Sequence, residues 1–133
     1  MDARITVDAD LMAPYRARRW LSDLRMPLAP SRADAVELLV AELVTASVKH
    51  AMADGLHAIN VSLHAQDGVV RVEVSDPARR DLPVVPDQPD EATGFGFYLV
   101  DKVADRWGFS EGPRLGLWFE VDVYALPTAA GDA

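Results

Sequence analysis

The chain has 133 residues, half of them hydrophobic and 26% charged, which suits one compact domain with a real core rather than a disordered or fibrous chain. Its net charge of −8 argues against nucleic-acid or anionic-membrane binding, since both need a positive field. There is no cysteine, hence no disulfide framework, thiol nucleophile or thiolate metal site, and the polar start Met1-Asp2-Ala3-Arg4 resembles neither a signal peptide nor an anchor, so a cytoplasmic protein is expected.

In chain order, residues 3 to 8 alternate loosely and predict a short strand. Pro14 can then sit in the first turn of a helix with Ala17, Trp20, Leu21 and Leu24 on one face. Its other face is basic, with Arg16, Arg18, Arg19 and Arg25, and reads either as a solvated face or as a surface for an acidic partner. Ser31 and Asp34 make a weak capping box ahead of a long helix over 32–53, whose Val36, Leu39, Val40, Leu43, Val44 and Val48 recur at helical spacing. A second line on that helix, Glu42, Ala46 and Lys49, follows the i, i+4, i+7 rule on a different face, with Thr45 and His50 beside it, and is the side assigned to a ligand.

Ile59, Val61 and Leu63 alternate with polar residues, Asp67-Gly68 signals a hairpin turn, and Val70, Val72 and Val74 alternate again. Continuing that period puts Asp76 on the side of the valines, so a carboxylate ends the row that faces the helices, and a buried acid needs a partner. Residues 77 to 93 hold four of the nine prolines, show no periodic pattern and read as a lid. A helix over 94–106 follows, with Leu99, Val100 and Val103 inward, and strands through Trp107-Gly108-Phe109 and through Leu115, Leu117, Phe119, Val121 and Val123 close the domain. One domain over 1–126 is expected, with a frayed tail at 127–133.

Taken singly, the chemistry-bearing residues have ordinary roles. Gly94-Phe95-Gly96 could be a plain loop-to-helix junction, Asp76 could cap a turn into Pro77, and Glu42 could pair with Lys49. A Gly-x-Gly opening a helix nonetheless suits a phosphate, because it allows close backbone approach and leaves amide donors pointing outward at the positive end of the helix dipole. His50, His57 and His64 show no metal-ligand spacing and read as surface residues, and Trp20, Trp107 and Trp118 read as core or interface aromatics.

Order and spacing carry more than any one residue. Glu42-Leu-Val-Thr45 with Lys49-His50-Ala51, then Val74-Ser-Asp76, then Gly94-Phe-Gly96-Phe-Tyr-Leu-Val100 with Ala104-Asp-Arg-Trp-Gly108, and finally Leu117-Trp-Phe-Glu120, resemble the GHKL superfamily of ATP-binding domains. Within it, the likeness is to the anti-sigma-factor serine kinases and their short actinobacterial relatives, and covers roughly residues 14 to 124. It implies a two-layer α/β sandwich, the Bergerat ATP-binding fold, with helices on one face of a mostly antiparallel sheet. It also implies ATP and Mg²⁺ as cofactors, Glu42 as the base for phosphoryl transfer, Asp76 as acceptor for the adenine amino group, and Lys49, Gly94 and Gly96 as further cofactor-binding positions. The asparagine that would hold Mg²⁺ is replaced by Ala46, and a methyl group offers no oxygen to a hard cation. Gly116 stands where a threonine would help bridge Asp76 and adenine, and Asp81, Asp87, Asp90 and Glu91 in the lid, partly offset by Arg79 and Arg80, disfavour a triphosphate. The expected function is therefore that of a regulatory protein resembling an anti-sigma factor. It would bind a sigma factor or an anti-sigma antagonist, with ATP binding weakened or lost and with a homodimer formed through the face of the sheet. The alternative is an active ATP-dependent serine protein kinase that finds its metal ligand elsewhere, through Glu42 and water. A nucleic-acid binder using the arginines of the first helix fits the acidic balance least.

Overall fold

The computed structural model describes residues 1–54, 58–75, 96–110 and 116–123. Its elements run β1 (Asp2–Asp8), α1 (Ala13–Leu24), α2 (Pro30–Asp54), β2 (Ala58–Gln66), β3 (Val69–Ser75), α3 (Gly96–Val103), β4 (Arg106–Ser110) and β5 (Gly116–Asp122). The five strands form one sheet in the order β1-β2-β3-β5-β4, and every described pairing is antiparallel. This is the two-layer α/β sandwich expected. The lid at 77–93 and the tail at 127–133 lie outside the described residues.

Strand alternation divides the sheet into two unlike faces. Val7, Ile59, Val61, Leu63, Val70, Val72, Val74, Leu117, Phe119 and Val121 are buried on the helix side, against Ala13, Ala17 and Leu21 of α1, the α2 stripe of Val36, Leu39, Val40, Leu43, Val44 and Val48, and Val100 of α3. Each strand of this kind is half-buried by construction, so the register is set by which phase puts the apolar side chains inside. The β2–β3 hairpin turns on Asp67 and Gly68, both at positive φ (54° and 78°), as a two-residue turn between right-twisted strands requires.

The other face is open and polar, and its side chains pair across strands. Asp2 and Gln66 hold His64, Arg71 bonds Glu120 at 3.4 Å, and Arg106 reaches both Glu120 (2.7 Å) and Asp122. Trp118 lies on this face with the Arg71 guanidinium 4.2 Å from its ring centre, and its indole covers Gly108, where an added Cβ would come within 2.8 Å of the ring. Only a residue without a side chain lets the ring lie that close. Trp107 and Phe109 take the inner side of β4 and meet edge to face at 5.4 Å, so two of the three tryptophans, Trp20 and Trp107, pack against the core while Trp118 does not.

Two boundaries differ from the sequence expectation. Ser31 does not cap α2. The Ala29 carbonyl accepts the first bonds, from the Arg32 and Ala33 amides at 3.0 and 2.9 Å, so Ala29 is the cap, Pro30 takes the first helical position and Ser31 lies inside. The third helix ends at Val103 rather than 106, because Arg106 is drawn into β4 opposite Glu120, and the Asp105 amide bonds the Glu120 carbonyl at 2.9 Å. The Asp105 carboxylate fastens this junction, accepting from Arg32 at 2.6 Å and from the Asp122 amide at 2.7 Å. No described helix is long and apolar enough to cross a membrane.

Candidate functional site

α2 is the element that positions the predicted ligand line. Its core stripe is buried, which fixes the rotation of the helix and leaves Glu42 and Ala46 half-buried and Lys49 exposed on a different face. Glu42 and Lys49 are separated by about 10 Å of helix rise, with Ala46 between them. Beside this line, Thr45 donates its hydroxyl to the Ala41 carbonyl at 2.7 Å, so its proton is used within the helix. Ser47 is buried on the core side. The side chain of His50 lies outside the described residues.

Gly96 opens α3, which packs against α2, while Asp76 and Gly94 lie outside the described residues. The structure therefore aligns Glu42, Ala46 and Lys49 along one helix and starts the next at Gly96. Taken by itself, the α2 line offers one carboxylate, one methyl group and one ammonium, a donor set that does not fit Mg²⁺. Among the described residues no group of three histidine or carboxylate side chains is placed to hold a metal ion.

Gly116 needs a correction. It pairs with Ser75, and a Cβ built on it would meet the Ser75 Cβ and the Val74 carbonyl, both at 3.1 Å. Leu117, Phe119 and Val121 face the helices, so Gly116, one residue out of phase with them, belongs to the open face. A side chain there would point away from the helix layer and crowd Ser75 on the neighbouring strand. The signal was available in the sequence: the period of two through Leu117, Phe119 and Val121 assigns residue 116 to the opposite side.

Two of the described clefts lie elsewhere: no sequence pattern signals the first, and of the second the sequence marks only the arginines of the basic face of α1. One, of about 520 Å³, sits on the open sheet face among Arg4, Ser62, His64, Arg71 and Glu73. The other, of about 470 Å³, runs between α1 and α2 over Leu11, Pro14, Tyr15 and Ala41, with Arg18, Arg19 and Glu37 at its edge. In the first, the His64 ring is held above the ordinary histidine pKa, chiefly by its hydrogen bond to Asp2 and then by Gln66, because both ring nitrogens face oxygen acceptors.

The antiparallel five-stranded sheet, covered on one face by α1, α2 and α3 with the Glu42 line on the long helix, defines an α/β sandwich of the GHKL type. Residues 7–117 match the family model of the histidine kinase-like ATPase domain, and the chain belongs to that family. The matched stretch includes Glu42, Lys49, Asp76, Gly94 and Gly96, and the family implies an ATP site, typically used with Mg²⁺. No curated protein matches the chain.

Proposed function

We propose that this domain is a regulatory protein resembling an anti-sigma factor, which acts in the cytoplasm by binding a sigma factor or an anti-sigma antagonist, with its ATP binding weakened or lost. The observation that carries this is Ala46, one turn beyond Glu42 on the ligand line of α2. Phosphoryl transfer in an ATP site depends on a metal ion to neutralise charge on the phosphates, and a methyl group at the metal-holding position removes an oxygen ligand from a cation that tolerates few substitutes. Glu42 then has no activated phosphate to act on and serves the packing of α2 instead. Recognition passes to the outer surfaces, and a homodimer through the open face of the sheet belongs to the same proposal.

Calorimetric titration with ATP, with and without Mg²⁺, tests it. The expected outcome is binding too weak to saturate in the micromolar range and little changed by the metal. Ala46→Asn should then strengthen Mg·ATP binding in a manner that requires Mg²⁺. A magnesium-dependent dissociation constant in the low micromolar range for the unaltered chain would replace the proposal with an active serine protein kinase.

A further inference from the structure

From the cleft between α1 and α2 we infer that this chain carries a docking groove for an acidic, amphipathic helical segment of a protein partner. The groove shares no lining residue with the line of Glu42, Ala46 and Lys49, and its apolar side chains are exposed. Leu11 is 83% exposed and Tyr15 56%, with Pro14 and Ala41 completing the lining. Leu38, next to Glu37 on α2, is a further exposed apolar side chain at 44%. Apolar side chains clustered in a cleft and rimmed by charge mark a contact surface, whereas single exposed ones do not.

The loop that presents Leu11 is tied down. The Asp10 carboxylate accepts from the Met12 amide and from Arg16, each at 2.9 Å, and the Asp10 carbonyl accepts from the Ala13 amide at 3.1 Å. Leu11 is thus held outward by a built turn, which lowers the ordering cost of any contact made with it.

Charge selects the occupant. Arg18 has no carboxylate partner among the described residues, and Arg19 has only Tyr15 at 3.4 Å and Asp23 at 4.0 Å, both exposed contacts on its own helix. Glu37 is the one carboxylate in the lining. By contrast, Arg71 and Arg106 on the sheet face are each paired with carboxylates. In a chain of net charge −8, two loosely held arginines beside an apolar groove fit carboxylates flanking a hydrophobic helix stripe, the helix-in-groove mode of peptide recognition. The regulatory proposal contributes only the premise of a protein partner. The groove names the surface and the partner's chemistry, and is tested without any sigma factor or nucleotide.

The probe is a fluorescein-labelled peptide of about sixteen residues, with leucines at i, i+4, i+7 and i+11 and glutamates flanking them. Fluorescence anisotropy should show saturable binding that weakens with added salt. Leu11→Ser with Tyr15→Ser, and separately Arg18→Glu with Arg19→Glu, should each weaken it at least about tenfold, while Lys102→Ala, on α3 outside the groove lining, leaves it unchanged. Chemical-shift changes in the ¹⁵N-labelled wild-type protein should cluster at residues 11–22 and 37–41, a result that does not depend on any variant folding. Absence of peptide binding, shift changes centred elsewhere, or equal binding by a lysine-for-glutamate peptide would overturn the inference. So would binding of a single-stranded oligonucleotide in the peptide's place, or a concentration-dependent self-association abolished by Leu11→Ser with Tyr15→Ser, which would assign the groove to a second copy. The regulatory proposal would survive each of these with its contact surface elsewhere.

Discussion

Arg25 ends α1 at φ 52° and ψ 63°, the left-handed conformation that a side chain disfavours and that glycine adopts without strain. Its side chain is exposed and forms no described contact, so Arg25→Gly should raise stability by about 0.5–1 kcal/mol, read as a higher urea midpoint at unchanged slope. His64 gives a test of opposite character. Its two ring nitrogens meet oxygens of Asp2 and Gln66, which raises its pKa in the folded state. A raised folded value means the stabilising pair is present below the ordinary histidine value of about 6.5 and is lost as pH climbs through the folded value. NMR titration of the His64 ring should show a midpoint above about 6.5, and Asp2→Asn should lower it. An unmoved midpoint in the variant would assign the effect to something other than Asp2.

At the scale of elements, the long helix is well packed from Val36 to Val48 and poorly started. Ala29 holds the cap position with a methyl group, leaving α2 without a side-chain acceptor at its first turn although Pro30 is well placed to begin it. Ala29→Asp should supply that acceptor and favour the positive end of the helix dipole, stabilising the domain by about 1 kcal/mol in chemical denaturation. The predicted ligand line lies near the middle of the same helix, so the substitution should leave ATP titrations unaltered. The Asp105 junction is the complementary case, since one carboxylate there joins the start of α2, through Arg32, to the end of β5. No sequence pattern marks it, because its partners lie far apart in the chain.

At the scale of the whole molecule, the proposed homodimer through the open sheet face makes a test. The charges there are largely satisfied within the face, and the half-buried Trp118 ring lies between Gly108 and the Arg71 guanidinium, an aromatic and cationic patch that a second copy could cover. The proposed homodimer should therefore appear in sedimentation equilibrium and be disrupted by Trp118→Glu, which sets a carboxylate at the centre of the contact. A wild-type chain that sediments as a monomer at all accessible concentrations would remove the dimer and leave the face as solvent-exposed surface.

Local periodicity determined a good deal of this protein. The stripe from Val36 to Val48, the alternations through Ile59–Leu63 and Val70–Val74, and the turn at Asp67-Gly68 are all legible in sequence, because each depends on neighbours within a turn or a hairpin. The alignment of Glu42, Ala46 and Lys49 follows for the same reason, since helical spacing alone places them on one line. Pairing between distant segments was decided only by the tertiary structure. It inserts β5 between β3 and β4 and ends α3 early by drawing Arg106 against Glu120. It also leaves Leu11 and Tyr15 exposed beside Arg18 and Arg19, because α1 spends its Ala13, Ala17 and Leu21 face on the core and its outward face then borders α2. Such features depend on which surfaces remain after the core has closed, a property of the whole packed chain that no local window of sequence contains.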